Sequence, residues 1–316
     1  VPKLSILIAA HDDALLETSL ISVLQNRPRD CEVVVVHDGA YQDPYELAGE
    51  VRFIAAPTLR ATTALLNEGV AVCRAPVVHV LGCGAEVTED WTLAAMAHFA
   101  DSDIDAVAPL VMASDRQHVV AAGLEYRRGG RRVASQQGTE IAKISAESQA
   151  TLGPTLDGAF YRRSALLQWA TPFCPLVGDL LADVDLALRM ARDGRRAVLE
   201  PNSQVVAPLT ARTGNALSEG WLAERLFWRH ASAFGVTSSL AAHAAMIAAE
   251  AAVTVVKPWR VARFVGRLTG SLERIVAGSR ITADLTPMVD ENDGEDELPN
   301  CLPMPAARQH RASRAA

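Results

Sequence analysis

Cys31-Glu32-Val33-Val34-Val35-Val36-His37-Asp38-Gly39 carries an unbroken apolar core and ends in a polar turn. A short continuous apolar run is the pattern of a strand covered on both faces. When such a strand runs into an Asp-Gly turn, polar side chains stand at the carboxyl edge of a parallel sheet, where open α/β folds bind ligands.

The same pattern extends in both directions. Leu4 to Ala9 is a second apolar run, and Asp12 and Asp13 offer N-cap oxygens to a helix carrying Leu15, Leu16, Leu20, Val23 and Leu24. Downstream, Val51 to Ala55 reads as a strand, Thr62 to Cys73 as a helix, and Val77 to Leu81 as a strand. Thr88 is placed to cap a helix with Glu89 and Asp90 in its first turn, and Ala106 to Val111 is a further strand. This alternation predicts an α/β fold, a mainly parallel sheet with helices on both faces.

Composition agrees. The chain has 316 residues, 49% of them hydrophobic, and a net charge of −7, enough for a large core and wrong for a nucleic-acid partner. Its five cysteines are scattered without a CxxC spacing, which argues for reduced thiols in a cytoplasmic setting and against a zinc site. No export signal is expected ahead of a strand pattern that begins almost at residue 1. Val236 to Val256 carries His243 and Glu250 and is rich in alanine, so it is expected to be a buried helix and not a membrane span.

Later segments are less regular. Arg127 to Gly138 holds a compact basic turn, either a solvated hairpin tip or a clamp for a phosphate-bearing ligand. Asp157 to Ser164 reads as a strand leading into a short helix. Gly178 to Arg189 (GDLLADVDLALR) reads as a turn becoming an amphipathic helix, with Asp183 and Asp185 near its start and arginines close behind. Ala197 to Glu200 is a strand ended by Pro201, and the chain is helical from Gly214. In Lys257 to Ile275, Val261, Phe264, Val265, Leu268, Leu272 and Ile275 form one stripe beside Arg260, Arg263, Arg267 and Arg274. Such a helix can lie on the inner face of a membrane, dock on its own domain, or meet a partner. The expected divisions are 1–212, a helical region 213–280, and a disordered acidic then Pro/Ala/Arg tail 281–316.

In this order the segments resemble the family-2 glycosyltransferases and their GT-A fold. The matching elements are Leu4–Ile8, Val33–Gly39, Asn67-Glu68-Gly69, Val77–Leu81 followed by Val87–Trp91, Gly158–Arg163, and Ala182–Arg189 with Gly194 and Pro201 behind it. The resemblance covers roughly residues 4 to 235 and implies an inverting transfer of a sugar from a nucleotide-diphosphate donor to a glycan or lipid-linked acceptor. By position it implies Asp183 as the base and Asp38, Gly39, Asn67, Gly82, Gly84 and Glu86 on the nucleotide sugar. Asp157, Arg162, Asp185 and Arg189 would contact acceptor or diphosphate. It also implies Mg²⁺ or Mn²⁺ held by an Asp-x-Asp pair.

The metal motif is where the sequence departs. After Leu81 it reads Gly82-Cys83-Gly84, with no carboxylate. His37 replaces the first Asp of the usual Asp-Asp-Gly, Ala182 replaces the Glu before Asp183, and Val206-Ala207-Pro208 stands where a metal-ligating histidine often follows. Three readings stay open. Arginines from Arg60, the 127–132 loop, Arg162 or Arg189 could neutralise the diphosphate. The chain could be a silent relative that binds a nucleotide, glycan or protein. A metal site could be rebuilt from Glu86, His79 and His37. No Gly-x-Ser-x-Gly elbow, complete dinucleotide fingerprint or Walker A motif is present.

Overall fold

The computed structural model describes residues 1–127, 129–207, 215–234 and 236–277. Arg128, Pro208, Gly214, the expected boundary at 212 and the 281–316 tail lie outside them, as do the side chains of Arg274 and Ile275.

In chain order the elements are β1 (Leu4–Ala10), α1 (Asp13–Asn26), β2 (Cys31–His37), β3 (Val51–Ala55), α2 (Thr62–Val72), β4 (Val77–Leu81), β5 (Glu86–Val87), α3 (Trp91–His98) and β6 (Ile104–Met112). There follow β7 (Val119–Ala121), β8 (Leu124–Arg127), β9 (Arg131–Ala134), β10 (Gln149–Thr151), β11 (Gly158–Arg162), α4 (Arg163–Leu166), α5 (Gly178–Arg192) and β12 (Arg196–Val206). The chain then continues through α6 (Ala216–His230), α7 (Val236–Val256) and α8 (Val261–Ala277).

One mixed sheet runs β10-β12-β6-β11-β4-β1-β2-β3, with β5 beside β12 and β7 beside β6. The β1–β2, β1–β4, β2–β3 and β6–β12 pairs are parallel, and β11 runs against both β4 and β6. Helices cover both faces. Leu4, Ile6 and Ile8 of β1 point into a core that includes Leu16, Leu20 and Val23 of α1 and Trp91 of α3. Leu7 and Ala9 point the other way, onto Leu65, Leu66 and Val70 of α2 and Leu186 of α5. The alternation of side chains along a strand is what lets a continuous apolar run serve two cores.

Asp12 caps α1 as expected, accepting from the Leu15 amide at 2.9 Å. Two other local expectations are corrected. Thr88 does not cap α3; its hydroxyl donates to the Gln204 carbonyl at 3.1 Å, and left-handed Asp90 precedes the helix instead. Nor does Pro201 end β12, because a register shift between Glu200 and Gln204 absorbs the missing donor and the strand continues.

At the C-terminal helices one larger expectation falls, and α8 takes one of its three expected placements, docked on its own domain. α7 is not buried: Thr237–Val256 is long and apolar enough to cross a membrane by length and composition, and only 11% of that window is buried. α8 packs with the opposite face to the one its apolar stripe would suggest. Buried Gly266, Arg267 and Gly270 face α6, while Val261, Val265, Leu268 and Leu272 are exposed. A Cβ added at Gly266 would fall 2.0 Å from the Leu217 carbonyl oxygen, and one at Gly220 2.0 Å from that of Arg263. Only glycines allow these backbones so close.

Candidate functional site

β1, β2, β4 and β6 end at the same sheet edge, so the turns after Ala10, His37, Leu81 and Met112 gather there. Because β11 is reversed, the residue before it, Asp157, arrives at that edge too. Gly82 ties the two sides together. Its amide donates to the Asp157 carbonyl at 3.1 Å, and an added Cβ would lie 3.2 Å from the Asp157 Cα.

Two clefts open on this edge. One, of about 530 Å³, is lined by His11, Asp12, Thr62, Gly82, Cys83, Asp157 and Asp179. The other, of about 610 Å³, is lined by His118, Arg132, Thr155, Asp157, Glu219 and Arg263. Asp157 and Leu180 border both. Of the residues expected on the nucleotide sugar, Gly82 lines a cleft, whereas Asp38, Gly39, Asn67, Gly84 and Glu86 do not. Asp38 sits near the rim, with His11 and Arg60 each 3.9 Å away, and Gly39 holds the left-handed backbone that its turn requires. The Asn67 amide clamps the Phe173 backbone through both its nitrogen and its oxygen, at 2.8 and 2.9 Å. Glu86 faces Arg116 at 3.8 Å.

Asp183 is fully buried on α5 and gripped by Arg132 of β9, whose Nε lies 2.9 and 3.1 Å from its two oxygens and whose Nη2 lies 2.7 Å from Oδ2. Burial alone would lower the arginine's pKa. The Asp183 charge and hydrogen bonds, with help from Asp157, raise it instead. The hairpin bearing Arg132 is no solvated tip. Its turn packs on the C-terminal helices, where a Cβ at Gly130 would meet the Ala223 carbonyl at 2.1 Å and the Gly129 carbonyl accepts from Arg267 at 3.0 Å.

Three residues expected to contact acceptor or diphosphate are committed elsewhere. Asp185 and Arg189 are fully buried and paired at 3.0 Å, and Asp185 also meets Arg229 and His230, each at 2.8 Å. Burial would raise the Asp185 pKa, but Arg189, His230 and Arg229 together hold it well below the usual carboxylate range. Arg162 lies at the opposite end of β11, on the carbonyls of Phe99, Asp101 and Ile104. A ligand at the sheet edge meets none of the three.

The sequence pattern does not mark Asp179 as part of the site. Its oxygens accept from the Thr62 and Thr63 amides at 3.0 and 2.8 Å, so it caps α2 from across the site. A carboxylate at the start of an amphipathic stretch was its only signal.

Among the described residues, the turn after β4 offers no ligand set for a divalent cation. In the turn after β4, Ser19 organises the backbone, accepting from the Gly84 amide at 2.9 Å and donating to the Ala85 carbonyl at 2.8 Å. Burial pushes the Cys83 thiol up to about 11, away from the thiolate a metal binds. His79 is stacked on Phe160, and both of its nitrogens are engaged, one by the Ala159 carbonyl and one by the Trp91 indole N–H. Among the described residues no group of three His, Cys, Asp or Glu side chains converges as a metal site would need.

GalNAc-T7, solved with UDP, GalNAc and Mn²⁺, aligns with a TM-score of 0.56 and 13% identity over 72% of this chain; the chain spans 48% of that protein. The mannosyltransferase PcManGT from Pyrobaculum calidifontis, in complex with GDP-Man and Mn²⁺, aligns with a TM-score of 0.50 and 18% identity over 88% of both chains. The fold is of the GT-A glycosyltransferase type. No protein-family model and no curated protein matches the chain by sequence. In this GT-A sheet both clefts lie at the carboxyl edge of the parallel strands, and Asp157 is the carboxylate they share.

Proposed function

We propose that this protein transfers a sugar from a nucleotide-diphosphate donor to a glycan or lipid-linked acceptor, with inversion and without a divalent metal. The observation that carries this is the pair of clefts meeting at Asp157 on a GT-A sheet edge. The 530 Å³ cleft above β1 and β4 takes the nucleotide, and the 610 Å³ cleft takes the acceptor. The donor diphosphate draws Arg132 away from Asp183. The freed carboxylate then accepts the acceptor hydroxyl proton as that oxygen bonds to the anomeric carbon. The bond from that carbon to the diphosphate oxygen breaks, the nucleotide leaves with the electron pair, and Arg132 meets its charge through two parallel hydrogen bonds. Attack opposite the leaving group inverts the centre.

A panel of nucleoside diphosphates and nucleotide sugars, followed by thermal shift with and without Mn²⁺, tests the reading. A stabilising shift without metal is expected. A shift only with Mn²⁺ overturns the arginine chemistry, and no shift with any nucleotide overturns donor binding.

A second reading, a silent glycan-binding or protein-binding module, is favoured by one observation: Asp183 is closed off beneath Arg132. Nucleotide binding without detectable transfer to any glycan acceptor would support it.

A further inference from the structure

α8 is mounted with its polar side inward. Arg267, fully buried, reaches Glu250 of α7 at 2.9 Å, Glu224 of α6 at 3.4 Å and the Gly129 carbonyl at 3.0 Å. The face left to solvent is Val261, Val265, Leu268 and Leu272, spaced as one helical stripe, with Leu272 61% exposed. At its N-terminal end, the corner from α7 adds Val255, 85% exposed, Val256 and Trp259, 72% exposed. A soluble helix normally turns such a stripe inward, because each apolar side chain left in water forfeits about 1.5–3 kcal/mol of burial.

α7 is apolar enough to span a bilayer, yet in this fold it lies along the protein. His243 reaches Glu224 at 2.9 Å and stacks on Phe227, with ring centroids 3.8 Å apart, while Glu250 holds Arg267. These buried polar ties would have to break for the helix to cross a membrane. Lys257 and Arg260 flank Trp259, both exposed, in a chain whose net charge is −7. Local positive charge beside an amphipathic indole and an apolar stripe complements anionic headgroups above acyl chains.

We infer that the outer face of α8, with the Val255–Arg260 corner, is a docking surface for an anionic lipid bilayer, on which the protein lies without crossing it. Arg263, on the inward side of the same helix beside Glu219 and Glu250, lines the 610 Å³ cleft, so that cleft stands one helix thickness behind the docking face.

Flotation of the full chain with phosphatidylglycerol/phosphatidylcholine vesicles and with pure phosphatidylcholine vesicles tests the surface independently of nucleotide binding. The chain is expected to float with the anionic vesicles and much less with the neutral ones. Leu268→Glu/Leu272→Glu should lower that partitioning by about tenfold or more, and Trp259→Ser should lower it further, with unchanged thermal midpoints because all three side chains are exposed. Failure of the wild type to float with anionic vesicles overturns the inference. Equal flotation of the charged variant does so too, as does a concentration-dependent dimer that Leu272→Glu dissociates in the absence of vesicle binding.

Discussion

Arg132 closes over Asp183 with two nitrogens, at 2.7 to 3.1 Å, and the carboxylate beneath it is fully buried. The pair is therefore both a structural contact and a latch on the candidate base. Arg132→Ala removes the guanidinium from a fully buried carboxylate and is expected to cost about 3–5 kcal/mol. Arg132→Ala/Asp183→Asn should recover much of that loss, and urea unfolding of the four-membered cycle measures it. In the same series Asp183→Asn should abolish transfer while donor binding survives. Donor turnover by Asp183→Asn at the wild-type rate would remove this residue from the chemistry.

Asp185 holds Arg189, Arg229 and His230 in a cluster with no solvent access. Asp185→Asn keeps the shape but removes the charge that two buried guanidinium groups need. An equilibrium stability loss of about 3–5 kcal/mol is expected. If the variant were as stable as the wild type, the cluster would contribute nothing net to the packing of α5 on α6.

His79 gives the fold a pH dependence of predictable sign. Burial pulls its pKa from 6.5 down to about 3, so the unfolded chain takes up a proton well before the folded chain does. Its contribution is complete above pH 6.5 and is lost as the pH falls from 6.5 toward 3. At pH 5 the loss should be about 2 kcal/mol. His79→Phe, which strands the Trp91 indole N–H at a cost of about 1–3 kcal/mol at every pH, should flatten the slope between pH 7 and pH 5. Thermal midpoints of the two proteins across that window make the comparison.

Asp179 caps a helix that starts more than a hundred residues upstream. Asp179→Ala should cost about 1–2 kcal/mol. Hydrogen exchange should show the damage at the Thr62 and Thr63 amides first, before any change in the centre of the sheet. Uniform loss of protection would mean that Asp179 matters to the whole fold and not to the start of α2.

What the sequence discloses is local. Continuous apolar runs such as Leu4–Ala9 and Val33–Val36 mark sheet-centre strands because both of their faces are covered, and Asp12 reads as a cap because its partner is three residues away. The distant pairings were not legible. Arg132 with Asp183 and Asp179 with Thr62 depend on how β9, α5 and α2 come together, which no periodicity records. At Arg162, Asp185 and Arg189 the family-like motif suggests ligand contacts because charge there invites a ligand; in this fold the same charges brace buried backbone and helix contacts. The stripe on α8 was visible, but not its direction. Gly220, Gly266 and Gly270 let the helices approach more closely than large side chains could, and that contact turned the apolar face outward.

The reversal of β11 carries a consequence beyond placing Asp157. The chain leaves β6 at Met112 and re-enters the middle of the sheet at Gly158 on the same rim, adding on the way only β7 beside β6 and the end strand β10, and between those points lie His118, Arg132, Thr155 and Asp157, all on the walls of one cleft. A segment whose two roots share a rim acts as an exchangeable cassette. Its length and content can drift without shifting the register of β1, β2 or β4, so what the molecule recognises can change while the way it folds stays fixed.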